Sequence, residues 1–430
     1  MRSGRRLVLG AIVSVAALSV AACGSSSSSS TSATGGAAAS TSSTAATTAA
    51  SNPSLKGAPI VVAGWAPIGT AEFDLTSNEA MMNAAVDGVN ARGGIGGRPL
   101  KLDFCNVGID PNTATQCAQQ AITEKAVAVV GSYNINTNAT APILQKAGIP
   151  SIAPGCCGSA DYSNPISFPL QPSNDTEWIA MANLAKQGGC TAVSFLVPQI
   201  ATAGVISAEA KKAFVANGLK VAAYVSYPAE TADFAPVVAK TLQGSPDCVV
   251  FTTFPAQIAP ISAALSQQGA KVKVVVGAGE LPAGIVAKTG GASSPLEGAL
   301  IPAPSPPASS PVWAQFNADI TKYAPNGGIN PNDYTAQGAW LAVQTVAKVG
   351  GTLGGNVTSQ SFLAALNKTS SLNLGGMLPT LNLSKPRSIP NHEREFNTYV
   401  WWQTIKNGEF TTFGPGGFTN ALTGLQQYGG

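Results

Sequence analysis

The 430-residue chain reads as an α/β protein, built from two doubly wound lobes on parallel sheets. Three observations point there. Short β-branched runs alternate with amphipathic stretches of helical length from Pro59 onward. The alternation restarts near Ser173, which gives two series. The length allows two or three domains and a sizeable buried core.

In the first series Ile60 to Ala63 reads as a buried strand. Ser77 to Asn90 then places Met82, Val86 and Val89 at helical spacing. Leu100 to Phe104 is a strand. Asp110-Pro111 opens a helix through Glu124, with cap and first-turn proline in the favoured order. Val127 to Val130 is a strand, Ala139 to Lys146 a helix, and Pro150 to Ala153 a strand. In the second series Ser173 or Asn174 caps a helix reaching Gln187. Strands follow at Ala192 to Val197, Leu219 to Tyr224, Val249 to Thr253 and Val272 to Val276. Helices at Ala203 to Asn217, Phe234 to Leu242 and Ala256 to Gln268 separate them. The last third is less regular. Pro302 to Pro311, with five prolines, reads as a crossover loop, and Asn332 to Val349 as a helix. Asn397 to Ile405 is a strand that pairs with Glu409 to Phe413 across Asn407-Gly408.

Composition excludes several functions. Charged residues are only 10% of the chain, and the net charge of +3 comes from Arg2, Arg5 and Arg6. Without those three, 24 basic residues become 21 against 21 acidic ones, so no basic patch remains to hold nucleic acid. His392 is the single histidine. His392-Glu393 begins like a zincin helix but lacks the second histidine, and no Ser–His triad can form, so His392 is expected at the surface. No cofactor or metal is expected.

The arginines precede a 14-residue apolar run, Leu7 to Val20, and small residues lead on to Ala21-Ala22-Cys23-Gly24. This is the layout of a secretory signal, and the run is short of the roughly 20 residues that span a bilayer. The cysteine after Ala22 resembles the lipobox of bacterial lipoproteins, which implies acylation of Cys23. Ser25 to Ser54 is nearly all Ser, Thr, Ala and Gly, too poor in apolar surface to fold. It reads as a tether spanning on the order of 30 Å.

Asn90-Ala91-Arg92-Gly93-Gly94-Ile95-Gly96-Gly97-Arg98-Pro99-Leu100 resembles the first helix–turn–strand of the leucine/isoleucine/valine-binding protein family. Val129-Val130-Gly131-Ser132, Gly148 to Ile152, Leu296-Glu297-Gly298 and Asn332 to Ala336 extend the likeness from Pro59 to the C-terminus. The resemblance implies a type I periplasmic-binding fold: two flavodoxin-like lobes, a three-strand hinge, and a ligand trapped between the lobes for an ABC permease. It also suggests the divisions: signal peptide 1–22, tether 23–55, lobe 1 in 56–172 and 303–383, lobe 2 in 173–302 and 384–430. The glycine run is not a dinucleotide loop. It follows a helix and precedes a strand, so its glycines serve a positive-φ cap and turn.

Six cysteines follow Cys23, an even number for an oxidising compartment, and fifteen pairings are possible. Cys190 and Cys248 precede strands that are neighbours in a 2-1-3-4-5 sheet, which favours a bridge between them. Cys105 and Cys117 form a second candidate pair. Cys156 and Cys157 are then a vicinal disulfide, two thiols, or partners in another pairing.

Ligands of open α/β sheets bind beyond the carboxyl ends of the strands. That rule selects the loops starting at Trp65, Ser132, Pro154, Pro198, Phe254 and Gly277, which are the family's ligand loops as well. The resemblance assigns a ligand carboxylate to Asn134, Asn136, Thr137, Gly155 and Cys156, with Cys157 beside them, and a ligand ammonium to Glu280. Aromatic-glycine is the family's pattern after the first strand of the second lobe. Here Ala203-Gly204 stands instead, with Gln199 and Thr202 nearby, so Phe73, Tyr133 or Phe254 supplies the aromatic wall. The expected function is a lipid-anchored solute receptor, not an enzyme, with a small solute and permease subunits as partners. A sensor of the same fold is the alternative, and a secreted hydrolase is opposed by the lone histidine.

Overall fold

The computed structural model describes residues 52, 54–70, 73–155, 158–199 and 201–423, without the side chains of 201–207 and 209. Cys23, Cys156 and Cys157 lie outside the described residues, as does the side chain of Thr202.

The first sheet carries β1 (Ile60–Ala66), β2 (Leu100–Asn106), β3 (Val129–Val130), β4 (Ser151–Ile152) and β5 (Ser167–Phe168). Its order is β2-β1-β3-β4-β5, all parallel. Between the strands run α1 (Thr76–Ala91), α2 (Pro111–Thr123), α3 (Thr137–Ala147) and α4 (Ala160–Ser163). Alternation along β1 explains the layering. Ile60 and Val62 face a core shared with Met81, Met82 and Trp340, whereas Ala63 and Trp65 face Cys117, Ala118 and Leu144.

The second sheet begins after α5 (Asn174–Gln187), whose Ser173 cap accepts the Thr176 N–H at 3.2 Å. Its elements are β6 (Ala192–Pro198), α6 (Ala201–Ala216), β7 (Lys220–Tyr227), α7 (Ala235–Thr241), β8 (Cys248–Phe251), α8 (Pro255–Gln267), β9 (Lys273–Val276), α9 (Ala283–Lys288) and β10 (Leu300–Ala303). The order β7-β6-β8-β9-β10 repeats the first lobe's winding. The chain then returns to the first lobe as α10 (Ala314–Tyr323), α11 (Tyr334–Gly351) and α12 (Ser359–Leu366), where Trp313, Phe316, Val343 and Phe362 join the first core. It finishes on the second sheet with β11 (Tyr399–Lys406), β12 (Glu409–Thr412) and β13 (Phe418–Asn420). There β11 runs antiparallel to β10, β12 and β13. The fold is therefore α/β with two doubly wound lobes.

Three passages of chain join the lobes, around Leu170–Ser173, Pro304–Ser305 and Glu395–Asn397, and polar side chains bind them together. Asn397 Nδ2 donates to Leu170 O at 3.0 Å, and Gln403 Nε2 to Ser305 O at 2.8 Å. Glu395 accepts from the Ser173 N–H (2.8 Å), Thr176 Oγ1 (2.7 Å) and Arg387 Nη1 (2.6 Å). Burial alone would raise its carboxyl, but the hydrogen bonds from His392, Ser173 and Thr176 outweigh that and hold it low. Arg394 lies between the Phe168 and Phe396 rings, 4.3 and 4.6 Å from their centres. His392 is not a free surface residue. Its side chain is 20% exposed and bridges Asp175 at 3.1 Å and Glu395 at 3.5 Å.

The glycine turn behaves as read. Gly94 has φ +64°, and a Cβ there would sit 2.1 Å from Arg98 O. The bridges Cys105–Cys117 and Cys190–Cys248 both form, the latter across the starts of neighbouring β6 and β8. No helix among the described residues is long and apolar enough to cross a membrane.

Candidate functional site: the cleft between the lobes

Loops at the carboxyl ends of both sheets meet in the cleft. From the first lobe come Tyr133, in the loop after β3, and Tyr334, the first residue of α11. The Tyr133 backbone N–H donates to Trp65 O at 3.0 Å, which fixes the loop against β1. Its ring packs 5.4 Å from Phe73 and 3.8 Å from the Cβ position of Gly155. The Gly155 N–H in turn donates to Ser132 O at 2.7 Å. The second lobe supplies Glu280, in the loop after β9, and Glu177, in the first turn of α5. Both carboxylates converge on Gly277. A Cβ there would lie 2.1 Å from Glu280 Oε2 and 2.5 Å from Glu177 Oε1.

Electrostatics ties the two walls together. Burial raises the Glu177 carboxyl well above the usual carboxylate range, and the neighbouring Glu280 charge raises it further. A hydrogen bond from the Ala278 N–H at 3.1 Å opposes this. Burial likewise raises Glu280, whose Oε2 is buried with no hydrogen-bond partner. The Tyr133 hydroxyl is pushed up by burial first, then by the charges of Glu280 and Glu177. Tyr334 is raised by burial and by Glu177 ahead of Tyr133 and Glu280. Tyr334 also lies 3.9 Å from the Cβ position of Gly279, so the walls approach closely.

A direct bond joins the two lobes. Asp333, the residue before α11, accepts the N–H of Ala283, the first residue of α9, at 3.0 Å through Oδ1. It therefore joins a helix packed on the first core to one packed on the second.

The residues expected from sequence separate into groups. Phe73, Tyr133, Gly155 and Glu280 come together around the cleft. Asn134, Asn136 and Thr137 lie beside it and brace the start of α3. Asn134 Nδ2 donates to Thr140 Oγ1 at 3.1 Å, Thr137 Oγ1 to Asn134 O at 2.7 Å, and Asn136 Nδ2 to Ile109 O at 3.0 Å. Phe254 is half-buried at the start of α8, and Gln199 is exposed at the end of β6. Glu177 and Tyr334 were absent from the expected ligand set. Glu177 sits in a capped first turn, where an acidic residue is explained by the helix dipole alone. Tyr334 had a signal, since it opens a helix in the stretch Asn332 to Ala336 that carried the resemblance.

Comparison with known proteins places this geometry. The model of the periplasmic binding protein family matches residues 68–394. A Leu/Ile/Val-binding protein homolog 2 of Brucella abortus (strain 2308) is 24% identical over 282 residues, covering 64% of this chain and 73% of that protein. A solute-binding protein of an ABC transporter from R. palustris, solved with 4-hydroxybenzoate, superposes with a TM-score of 0.66 at 20% identity. That match covers 86% of this chain and all of the other. LivJ, a branched-chain amino acid transporter substrate-binding protein of Streptococcus pneumoniae solved with isoleucine, gives 0.68 at 17% identity. It covers 84% of this chain and 99% of the other. The two solved relatives are solute- or substrate-binding proteins of transporters, and the family implies an extracytoplasmic location. With a family match over most of its length and two sheets wound alike around a shared cleft, the chain belongs to the periplasmic binding protein family.

Proposed function

We propose that the chain is a lipid-anchored receptor, held to the outer face of the cell membrane through Cys23. It captures a small polar solute, an amino acid or related compound, and delivers it to the permease subunits of an ABC importer. The observation that carries this reading is the pairing across the cleft of first-lobe tyrosines, Tyr133 and Tyr334, with second-lobe carboxylates, Glu177 and Glu280. Such a site buries a ligand against rigid aromatic faces and gives it polar anchors on both lobes, so that occupancy favours closure.

The proposed site keeps Phe73, Tyr133, Gly155 and Glu280 at its centre, with Asn134, Asn136, Thr137, Cys156, Cys157, Gln199, Thr202 and Phe254 around it. The lobes divide at the three crossings, residues 56–172 with 303 to about 395 forming the first and 173–302 with about 396–430 the second. Relatives solved with isoleucine and with 4-hydroxybenzoate support a small-solute ligand. Two experiments test the reading. Cys23→Ser should release the protein from membranes into the medium. Deletion of the chain should abolish uptake of the solute that the purified protein binds. Uptake that persists unchanged would end the transport role.

A further inference from the structure

One ammonium group needs one carboxylate, yet the second lobe presents two. Glu177 and Glu280 face each other across Gly277, and among the described residues no Lys, Arg or His forms an ion pair with either. The charged and titratable groups around the pair are Tyr133, Tyr334 and Tyr162 from the first lobe, with Asp161 beside Tyr162. On α5 itself Asp175 is paired with His392, whose other nitrogen faces Glu395. None of these supplies a positive charge to the pair.

The opposite wall repeats the pattern. Asn78 is 1% exposed, and its Nδ2 donates to Gly131 O at 3.2 Å. Its Oδ1 is buried without a donor and lines, with Tyr133 and Tyr334, a small cavity on the first-lobe side of the cleft. Glu280 Oε2 is likewise without a donor. Each wall thus holds a buried acceptor without a donor, Asn78 Oδ1 on the first lobe and Glu280 Oε2 on the second. Buried acceptors left unpaired are costly, and a ligand rich in N–H donors removes that cost.

Resting on the receptor reading, we infer that the cleft takes a net-cationic amine, namely a diamine, a guanidino compound or a basic amino acid, whose N–H donors bridge Glu177 and Glu280. Two like charges in a buried site cannot both ionise freely, so the empty pair holds a proton. When the cation docks, that proton passes to solvent and both carboxylates become acceptors. Affinity therefore rises with pH until the pair is ionised without the ligand. A zwitterion with one positive charge leaves the proton in place, and an aromatic carboxylate adds a third negative group.

The test is isothermal titration of the full chain in detergent at about pH 5.5 and pH 8.5, in two buffers of different ionisation enthalpy. The probes are 1,4-diaminobutane, agmatine, arginine, leucine and 4-hydroxybenzoate. The expected result is that a cationic probe binds about tenfold or more tightly at the higher pH and releases a proton. Glu177→Gln should lose about tenfold in affinity and abolish the release; if this variant fails to fold, proton release from the native chain carries the test. Binding of leucine or 4-hydroxybenzoate without binding of any cation overturns the inference and leaves the receptor intact. A folded chain that binds no probe of any class overturns the inference and the small-solute reading together.

Discussion

Glu177 Oε1 accepts the backbone N–H of Ala278 at 3.1 Å, and so fastens the first turn of α5 to the loop that follows β9. The two segments are about a hundred residues apart in sequence, yet both sit at the carboxyl end of the second sheet. The bond holds Glu177 in line with Glu280 and leaves Gly277 between them. The cleft's charge is therefore set by three residues that only the winding of the sheet brings together.

Gly277 is the most sensitive of these positions. A methyl group there would collide with both carboxylates, at 2.1 and 2.5 Å, and would push them apart. Gly277→Ala should weaken ligand binding by about tenfold or more while moving the melting temperature by only a few degrees. Titration calorimetry beside a thermal melt separates the two effects. Glu280→Gln should cost a cationic-amine ligand about 1.5–3 kcal/mol, the range for a charged hydrogen bond. Unchanged affinity for such a ligand would remove Glu280 from the site.

Asp333 tests closure independently of ligand chemistry. Its bond to the Ala283 N–H joins the lobes without touching the Glu177–Glu280 pair. Asp333→Ala should weaken binding by about 1–2 kcal/mol, because the closed form loses one interlobe hydrogen bond. The unliganded variant should also show a larger radius of gyration in small-angle scattering. An unchanged radius would mean that the bond does not hold the lobes together.

His392 gives the hinge a pH dependence. Its hydrogen bonds to Asp175 and then Glu395 raise it to about 9 against the opposing effect of burial. The protonated form is favoured by folding, so its stabilisation is complete below about pH 6.5 and lost as pH rises through about 9. Asp175 is about half exposed, which limits the effect to about 1 kcal/mol. His392→Ala should therefore lower the melting temperature at pH 6 and leave it nearly unchanged at pH 10. An equal deficit at both values would show that the ring acts by packing alone.

Much of the fold was legible because its signals are local. The cap Asp110 with Pro111, the glycine turn after α1 and the β-branched runs each name an element without help from the rest of the chain. The Cys190–Cys248 bridge was legible at the next level, because strand order puts those two starts side by side. The last third resisted for a physical reason. Pro302 opens the stretch Pro302 to Pro311 that reads as a loop, yet it lies in a strand; β9 pairs with that strand only at Leu300, so the proline's missing N–H breaks no bond on that side. Helices α10 and α12 are short and draw their stability from the first lobe's core rather than from their own pattern. Glu177 was hidden likewise, because a glutamate in a first turn needs no further explanation until the sheet places Glu280 opposite.

The two disulfides rank by the loops they close. Chain-entropy arguments give about 4 kcal/mol for Cys190–Cys248, with a separation of 58 residues, and about 3 kcal/mol for Cys105–Cys117, with 12. Serine replacement of each pair should destabilise in that order under denaturant. Peptide mapping without reduction should recover both links.

The central claim is that a small solute closes the cleft. The most direct measurement is a thermal-shift screen of the full chain against amino acids, diamines, guanidino compounds, amides and aromatic acids. A solute at about 100 times its dissociation constant should add about 2.7 kcal/mol of stability, and a tenfold weaker Gly277→Ala should cut that gain to about 1.4 kcal/mol. A shift that survives Gly277→Ala unchanged would place the ligand elsewhere, and a folded chain indifferent to every solute would contradict the claim.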